Sequence, residues 1–561
     1  MKISNLFAVL LLGGMFFLMF FSSFDDSAIF DETAHIGAGY SYLTEKDGRL
    51  NPEHPPLIKD LSALPLMFLK LNFSTLQPFW NMKNVNDRQW LAGNTLLYKS
   101  GNDADKILLF SRLPIMILAI IFGFILFWWT QKNYGPKTGL LTLALFALSP
   151  TFLAHSRYVT TDLGAAFAFF LSIIFFIKFL EKNDNKSAIY FGIVLGFSLL
   201  VKFSLIILLP FFVVVKIGHH VFSKKEICWF SLKLIMVFLI ALMVIYLFYI
   251  PHIWNYPLEQ NLADARFTIG NYKTAKFAPE IVFSFLSNKI TQPLGQYLHG
   301  FLMVAQRTAG GNSAYFLGEV SNKGWTSYFP VLFITKEQIG LYVLMILAII
   351  ISLKKFSENK FQKISVKTAI FLLFIAYYWA WSLWSPLNIG IRHILPTFPF
   401  IYILVSKTIV DWTKNGKFKK PIIFVLLFWM AAEIAFVYPY FLSYYNEFAS
   451  GWRFGHKIAT DSNYDWGQDL KRLRDWTTQN GVSKIYLDYF GGGSPEYYFE
   501  APTAIGVVNF ELWRYEKGPP PAGSYFAISA NSLIGAENLY DWLKDKEPIT
   551  RAGSSIFIYS F

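Results

Sequence analysis

Apolar runs of membrane length punctuate the chain near 5–23, 108–129, 138–154, 160–180, 188–201, 203–218, 229–250, 338–353, 366–384, 392–409 and 420–442. A bilayer crossing needs about 20 helical residues. The runs therefore predict eleven spanning helices, and 281–306 could add one or two, giving roughly eleven to thirteen. Three long segments lack such runs: 24–107, 251–337 and the tail 443–561. The tail has a different rhythm. Residues 464–473 open an amphipathic helix that Gly481 ends, and 484–490, 525–529 and 556–559 read as strands. Gly491-Gly492-Gly493 reads as a turn, since its spacing does not fit a dinucleotide fingerprint, and 536–544 reads as helix. The expected architecture is a polytopic α-helical membrane unit over 1–442, with extramembrane loops 24–107 and 251–337, followed by a soluble α/β domain over 443–561.

Charge orients the spans. Lys132 and Lys137, then Lys216, Lys224 and Lys225, then Lys354, Lys355, Lys360, Lys363 and Lys367, then Lys414, Lys417, Lys419 and Lys420 fall in loops on one side. The loop 181–187 is mixed, with Lys182 and Lys186 against Glu181 and Asp184. Basic loops stay cytoplasmic, which puts the three long segments on the opposite face. The first span resembles a signal peptide, but no small-residue cleavage site is evident near Ser22-Ser23, so it reads as an anchor.

Composition agrees: 54% hydrophobic, 16% charged and 19% aromatic across 561 residues, with mean hydropathy +0.38. That excludes a soluble globule. The net charge of +13 lies largely in the short loops and does not argue for nucleic acid. A single cysteine, Cys228, excludes an intrachain disulfide and a multi-cysteine metal site, and reads as a membrane-edge residue.

Against this apolar background the polar side chains of the long segments stand out. Asp31 and Glu32 follow the first span, with His35 one turn on. Carboxylates beside hydrocarbon are costly, so both are candidate catalytic groups. Glu32-Thr33-Ala34-His35 is formally a di-iron half-motif, but no second copy or partner carboxylates accompany it. The rigid run Asn51-Pro52-Glu53-His54-Pro55-Pro56 holds Glu53 and His54 as candidate substrate-binding groups. Glu53 with His35 or His54 is a candidate pair for a divalent cation, although one carboxylate and one imidazole make a thin ligand set; that cation is the one cofactor these residues suggest. Arg157, with Asp162 opening the next span, Lys202 within an apolar stretch, and Arg392-His393 at the tenth span supply cations at the outer edge. Membrane-edge cations ordinarily reach for headgroups. Several on the side where few are expected suggest a bound phosphate. His252, His299 and Arg307 in 251–337 are further candidates without a role.

A base and a phosphate clamp on one face suit group transfer from a lipid phosphate: a carboxylate deprotonates an acceptor hydroxyl and cations hold the departing phosphate. These residues, with the run Arg392-His393-Ile394-Leu395-Pro396, resemble the GT-C fold glycosyltransferases, in particular the family 39 and PMT-type enzymes, which include protein O-mannosyltransferases and lipid A aminoarabinose transferases. The resemblance covers roughly 1–440. It implies a polyprenyl-phosphate-linked sugar donor, a lipid, glycan or protein acceptor, and a bacterial inner membrane location with an extracytoplasmic active site. It also implies a first-loop catalytic aspartate at Asp31, a family metal position at Glu53 and a donor-phosphate lysine at Lys202. The tail run 461–469 departs from protein O-mannosyltransferases and puts a protein acceptor in doubt. The rival of another class is a transporter or flippase of lipid-linked sugars. It would favour internal repeats and mid-span polar groups; the halves show no repeat and the acids lie in loops.

Overall fold

The computed structural model describes residues 3–223, 228–272, 277–358, 364–414, 416, 419–499, 507–535 and 539–561. Lys224, Lys225, Lys360, Lys363, Lys417, part of the helix expected over 536–544, and the side chain of Cys228 lie outside the described residues. Among the described residues eight helices are long and apolar enough to cross a membrane: Ile3–Ser22, Ala104–Tyr134, Asp162–Lys182, Leu232–His252, Ile339–Ser357, Val366–Trp384, Ile391–Thr413 and Lys419–Val437. The protein is an integral membrane protein. The three remaining predicted spans are also helical but shorter: Pro136–Ala147, Asn185–Leu199 and Leu208–Ser223. The extra spans expected in 281–306 are not spans. Phe277–Leu286 is too short, and Gln292–Gly310 buries one stripe, including Gln296, His299 and Met303.

Asp162–Lys182 and Phe398–Thr413 run through the middle of the bundle and are buried on most sides. Peripheral helices turn apolar side chains outward, as Leu239, Met243, Ile349, Phe428 and Phe436 do, which suits a lipid boundary. The predicted charge sorting has a spatial counterpart. Lys367 Nζ lies 2.7 Å from Asn133 Oδ1 and 3.2 Å from Glu181 Oε1, so three separate loops meet at one end of the bundle.

The other end carries the long segments. After the first span come helices Phe30–Glu45, Leu57–Ala63 and Val85–Asn94. The 251–337 segment adds Leu258–Ile269 and a hairpin of strands β1 (Ala314–Phe316) and β2 (Glu319–Ser321). The tail forms a five-stranded sheet from β3 (Lys484–Asp488), β4 (Asn509–Leu512), β5 (Tyr525–Ser529), β6 (Thr550–Ala552) and β7 (Ile556–Ser560), in the order β4-β3-β5-β7-β6. Strand β3 is parallel to both β4 and β5, whereas β7 is antiparallel to β5 and β6. The three predicted strands are present. Strands β4 and β6 escape a hydrophobicity reading because each is three or four residues long and only partly buried. The tail helix begins at Leu470, not 464, because the preceding residues make a 3-10 turn and loop.

That loop is why the tail does not stand apart. Phe30 N donates to Trp466 O (2.9 Å), Ser27 N to Gln468 O (3.0 Å) and Gly492 N to Ala28 O (3.1 Å). A Cβ at Gly492 would sit 2.4 Å from Ile29 O, so only glycine allows this approach. Tyr464, Trp466 and Phe526 belong to the same continuous apolar core as the membrane helices.

Asp465 is buried in this contact. Its Oδ2 accepts from Asn531 N (2.9 Å) and its Oδ1 from Gly467 N (3.2 Å). Burial pushes its carboxyl up to about 7 from the ordinary 3.8. The folded state therefore holds a proton that the unfolded chain releases, and this stabilisation is complete at acid pH and lost as pH rises through about 7. Thermal midpoints measured in detergent between pH 4.5 and 8 should decline with pH more steeply in the parent than in Asp465→Asn; parallel curves would remove Asp465 as the source.

Candidate active site

The site grows from four side chains that share helix ends. Asp31 lies in the first turn of Phe30–Glu45 and Asp162 opens Asp162–Lys182, both at the positive end of a helix dipole. Lys202 is extended (φ −157°, ψ 139°) in the break after Asn185–Leu199, so it does not interrupt a helix. Arg392 stands in the 3-10 turn Ile391–Thr397 that precedes Phe398–Thr413.

The tail fixes that turn. Ile391 N donates to Asn463 Oδ1 (2.9 Å) and Ser462 Oγ donates to Ile389 O. Gly390 has φ +139°, and a Cβ there would meet Ser462 Oγ at 2.2 Å. Thus pinned, Arg392 places Nη1 3.0 Å from Asp31 Oδ2 and 3.3 Å from Asp162 Oδ2, with its guanidinium 4.1 Å from the Trp466 ring centre. Asp162 Oδ1 is 2.6 Å from Lys202 Nζ. The four groups form one chain of alternating charge, Asp31, Arg392, Asp162, Lys202. Its middle is closed, with the Arg392 and Asp162 side chains 8% and 2% exposed; its ends are open, Asp31 at 26% and Lys202 at 17%.

The Pro-rich run flanks the Lys202 end. Lys59 is buried and donates to Asn51 O and His54 O (2.7 Å each) and to Tyr42 Oη (3.0 Å), which holds the run in place. The His35 and His54 rings meet edge to face, 5.1 Å between centres. His35 Nδ1 lies 2.9 Å from Val159 O, which assigns the proton to Nδ1. Loss of solvent lowers the pKa of both imidazoles, and that of His54 is lowered further by His35, Lys59, Lys202 and Arg307. Glu53 Oε2 is 3.5 Å from Arg307 Nη1, and the Arg307 side chain is 47% exposed. Arg307 is thus the member of the 251–337 segment that reaches the site. His393 stays beside Arg392, half-buried, its carbonyl accepting from Tyr378 Oη (2.8 Å).

Two expected site residues are engaged elsewhere. Glu32 is wholly buried: Arg112 Nε and Nη2 lie 2.8 and 2.7 Å from its two oxygens, and Ile29 N and Val159 N donate to them as well. Neighbouring positions on a helix face different ways, so Asp31 and Glu32 part company, and Glu32 has no oxygen free for catalysis. Arg157 is likewise buried. It donates to Ser22 O (2.9 Å), Pro439 O (3.1 Å) and Tyr158 Oη (2.9 Å), and pairs with Asp26 at 3.2 Å, which leaves it no room for a phosphate. Two of the unassigned histidines are structural: His252 Nε2 meets Asp60 Oδ2 at 2.8 Å, and His299 Nε2 meets Thr268 Oγ1 at 2.7 Å. The divalent-cation pair does not fit a metal centre. Glu53 faces Arg307, His35 Nδ1 faces a carbonyl, and no three His, Cys, Asp or Glu side chains converge among the described residues. Arg112 and Trp466 were missed; Arg112 had a signal, a lone cation inside an apolar run.

Residues 104–253, which include Arg112, Arg157, Asp162 and Lys202, match the family described as dolichyl-phosphate-mannose-protein mannosyltransferase. The match spans about a quarter of the chain. No curated protein matches the chain. Among solved structures, it is similar to the oligosaccharyltransferase AglB of Archaeoglobus fulgidus, solved with an inhibitory peptide and a dolichol-phosphate. That similarity is at 10% identity and TM-score 0.48, over 95% of this chain and 71% of AglB. It is also similar to ArnT of Cupriavidus metallidurans bound to undecaprenyl phosphate, at 10% identity and TM-score 0.31, over 98% of this chain and 97% of ArnT.

Stripping Glu32 of its charge leaves Arg112 buried without its partner, which costs about 3–5 kcal/mol. Glu32→Gln should therefore lower the thermal midpoint of the purified protein in detergent. A parental midpoint combined with lost turnover would instead make Glu32 a participant in the reaction.

Proposed function

We propose that this glycosyltransferase moves a sugar from a polyprenyl-phosphate donor to an acceptor hydroxyl at the extracytoplasmic edge of a bacterial inner membrane, inverting the anomeric configuration. The observation that carries the reading is the chain Asp31, Arg392, Asp162, Lys202, with a partly open carboxylate at one end and a partly open ammonium at the other.

In this reading Asp31 is the general base. It accepts the proton of the acceptor hydroxyl while that oxygen forms its bond to the anomeric carbon. The bond between the anomeric carbon and the phosphate oxygen breaks, and polyprenyl phosphate leaves with the electron pair. Lys202 and the exposed Arg307 bind the phosphate, and Arg392, enclosed between Asp31 and Asp162, adds to the positive field that offsets its growing charge. Asp162 is a positioning residue that holds Arg392 and Lys202 apart from each other's repulsion. Glu53 orients Arg307, and His54, held neutral, presents a hydrogen-bonding ring to the sugar without adding charge. His393 flanks the same pocket. No step needs a metal.

With a polyprenyl-phosphate sugar supplied to proteoliposomes, Asp31→Asn should reduce kcat by about 10²–10⁴-fold and leave donor KM little changed. Lys202→Ala should act on the donor side, weakening kcat/KM by about 10–100-fold through loss of a charge-assisted bond. Normal turnover by Asp31→Asn would remove it as the base.

A further inference from the structure

A cavity of about 420 Å³ lies between the tail sheet and the β1–β2 hairpin, within the size range of small-molecule sites, about 300–1,000 Å³. Its floor has a specific origin. Asp488 and Tyr489 close β3, Tyr515 follows β4, and Asn531 follows β5. These are the carboxyl ends of the three mutually parallel strands. The chain leaves β3 to form β4 on one side and then returns to form β5 on the other. Ligands of open α/β sheets bind at this kind of reversal point. The opposite wall is Tyr315 of β1, which the hairpin brings over from the 251–337 segment.

The cavity also adjoins the transfer site. Asp461 and Asn388 line it, and the residues after Asp461, Ser462 and Asn463, hydrogen-bond Ile389 and Ile391 in the loop that carries Arg392. The group that receives the sugar must lie beside Asp31, so an acceptor held in this cavity can present its hydroxyl there.

We infer that the cavity is the acceptor subsite and that the acceptor it takes is a carbohydrate. This rests on the transferase reading above. Tyr315 and Tyr515 line it with aromatic rings of the kind that pack on the C–H face of a pyranose, Tyr540 backs Tyr515 and donates to Asp488, and Asp488 Oδ1 and Asn531 supply the acceptor and donor groups that ring hydroxyls require. A peptide acceptor would call for a free strand edge or an apolar groove. This cavity instead lies at strand ends and mixes aromatic with polar side chains.

The test uses the full chain in detergent and two binding measurements. Saturation-transfer NMR with methyl hexopyranosides, methyl pentopyranosides and short oligosaccharides should show at least one binder. Binding should weaken about tenfold in Tyr515→Ala and in Asn531→Ala. Both changes keep the fold, since Tyr515 is exposed and Asn531 pairs with Asp465 through its backbone N–H. Lys202→Ala should leave sugar binding intact and abolish thermal stabilisation by polyprenyl phosphate, which Tyr515→Ala should retain. If no saccharide binds while polyprenyl phosphate still stabilises the protein, the inference fails and the donor reading stands. Saccharide binding unchanged in both cavity variants also overturns it, as does preferential binding of an unglycosylated Ser/Thr peptide. If saccharides bind as described and polyprenyl phosphate does not, the cavity assignment survives and the donor reading falls.

Discussion

Everything at the site depends on where one guanidinium is held. Arg392 is nearly excluded from water, and a buried cation is tolerated only when its charge and its donors are met. Asp31 comes from the helix after the first span, Asp162 from the start of a central span and Trp466 from the tail. Three stretches distant in sequence thus surround one group, and balancing its charge holds them together. The same constraint sets the reactivity of the ends. Asp162 is shared between Arg392 and Lys202 while Arg392 has Asp31 as well, so Lys202 is the cation of the four that is left partly unneutralised and attractive to an anion.

Around this centre sit ion pairs with a different task. Arg112 with Glu32 ties the second transmembrane helix to the first loop. Arg157 and Arg472 both pair with Asp26, joining the end of the first span to the tail. Arg112 and Arg157 also donate to backbone carbonyls, so most of their donors are spent inside the protein. Charged residues at this membrane edge therefore divide into those enclosed by the protein and those, such as Asp31 and Lys202, whose side chains stay partly open. That division separates structural from chemical roles better than sequence position does.

The tail supplies a wall of the same site. Lys336, buried beside it, donates to Leu442 O and Asn463 O and braces the turn that carries Ser462 and Asn463 against the Arg392 loop. Strand ends, a hairpin from the long loop and the catalytic edge then surround one opening. A reaction that joins a lipid-borne group to a second substrate needs adjacent compartments of unlike character, one charged and next to the membrane, the other polar and aromatic.

The sequence by itself determined the membrane class, the helical character of all eleven predicted spans, the grouping of basic loops, three of the five tail strands, and the presence of Asp31, Asp162, Lys202 and Arg392 at span edges. Those features are local: apolar run length, charge next to a run, and alternation over a few residues are all visible without contacts. What only the tertiary structure decided is which charged groups meet. Asp31 and Glu32 are neighbours in sequence with the same side-chain chemistry. They diverge because one helical step turns Glu32 to Arg112 and Asp31 to Arg392. Arg157 and Arg392 looked alike as edge cations until packing enclosed the first among carbonyls. Strands β4 and β6 were likewise beyond reach because they are short and only partly buried, and the role of Trp466 because its partners Phe30 and Arg392 lie far from it in sequence.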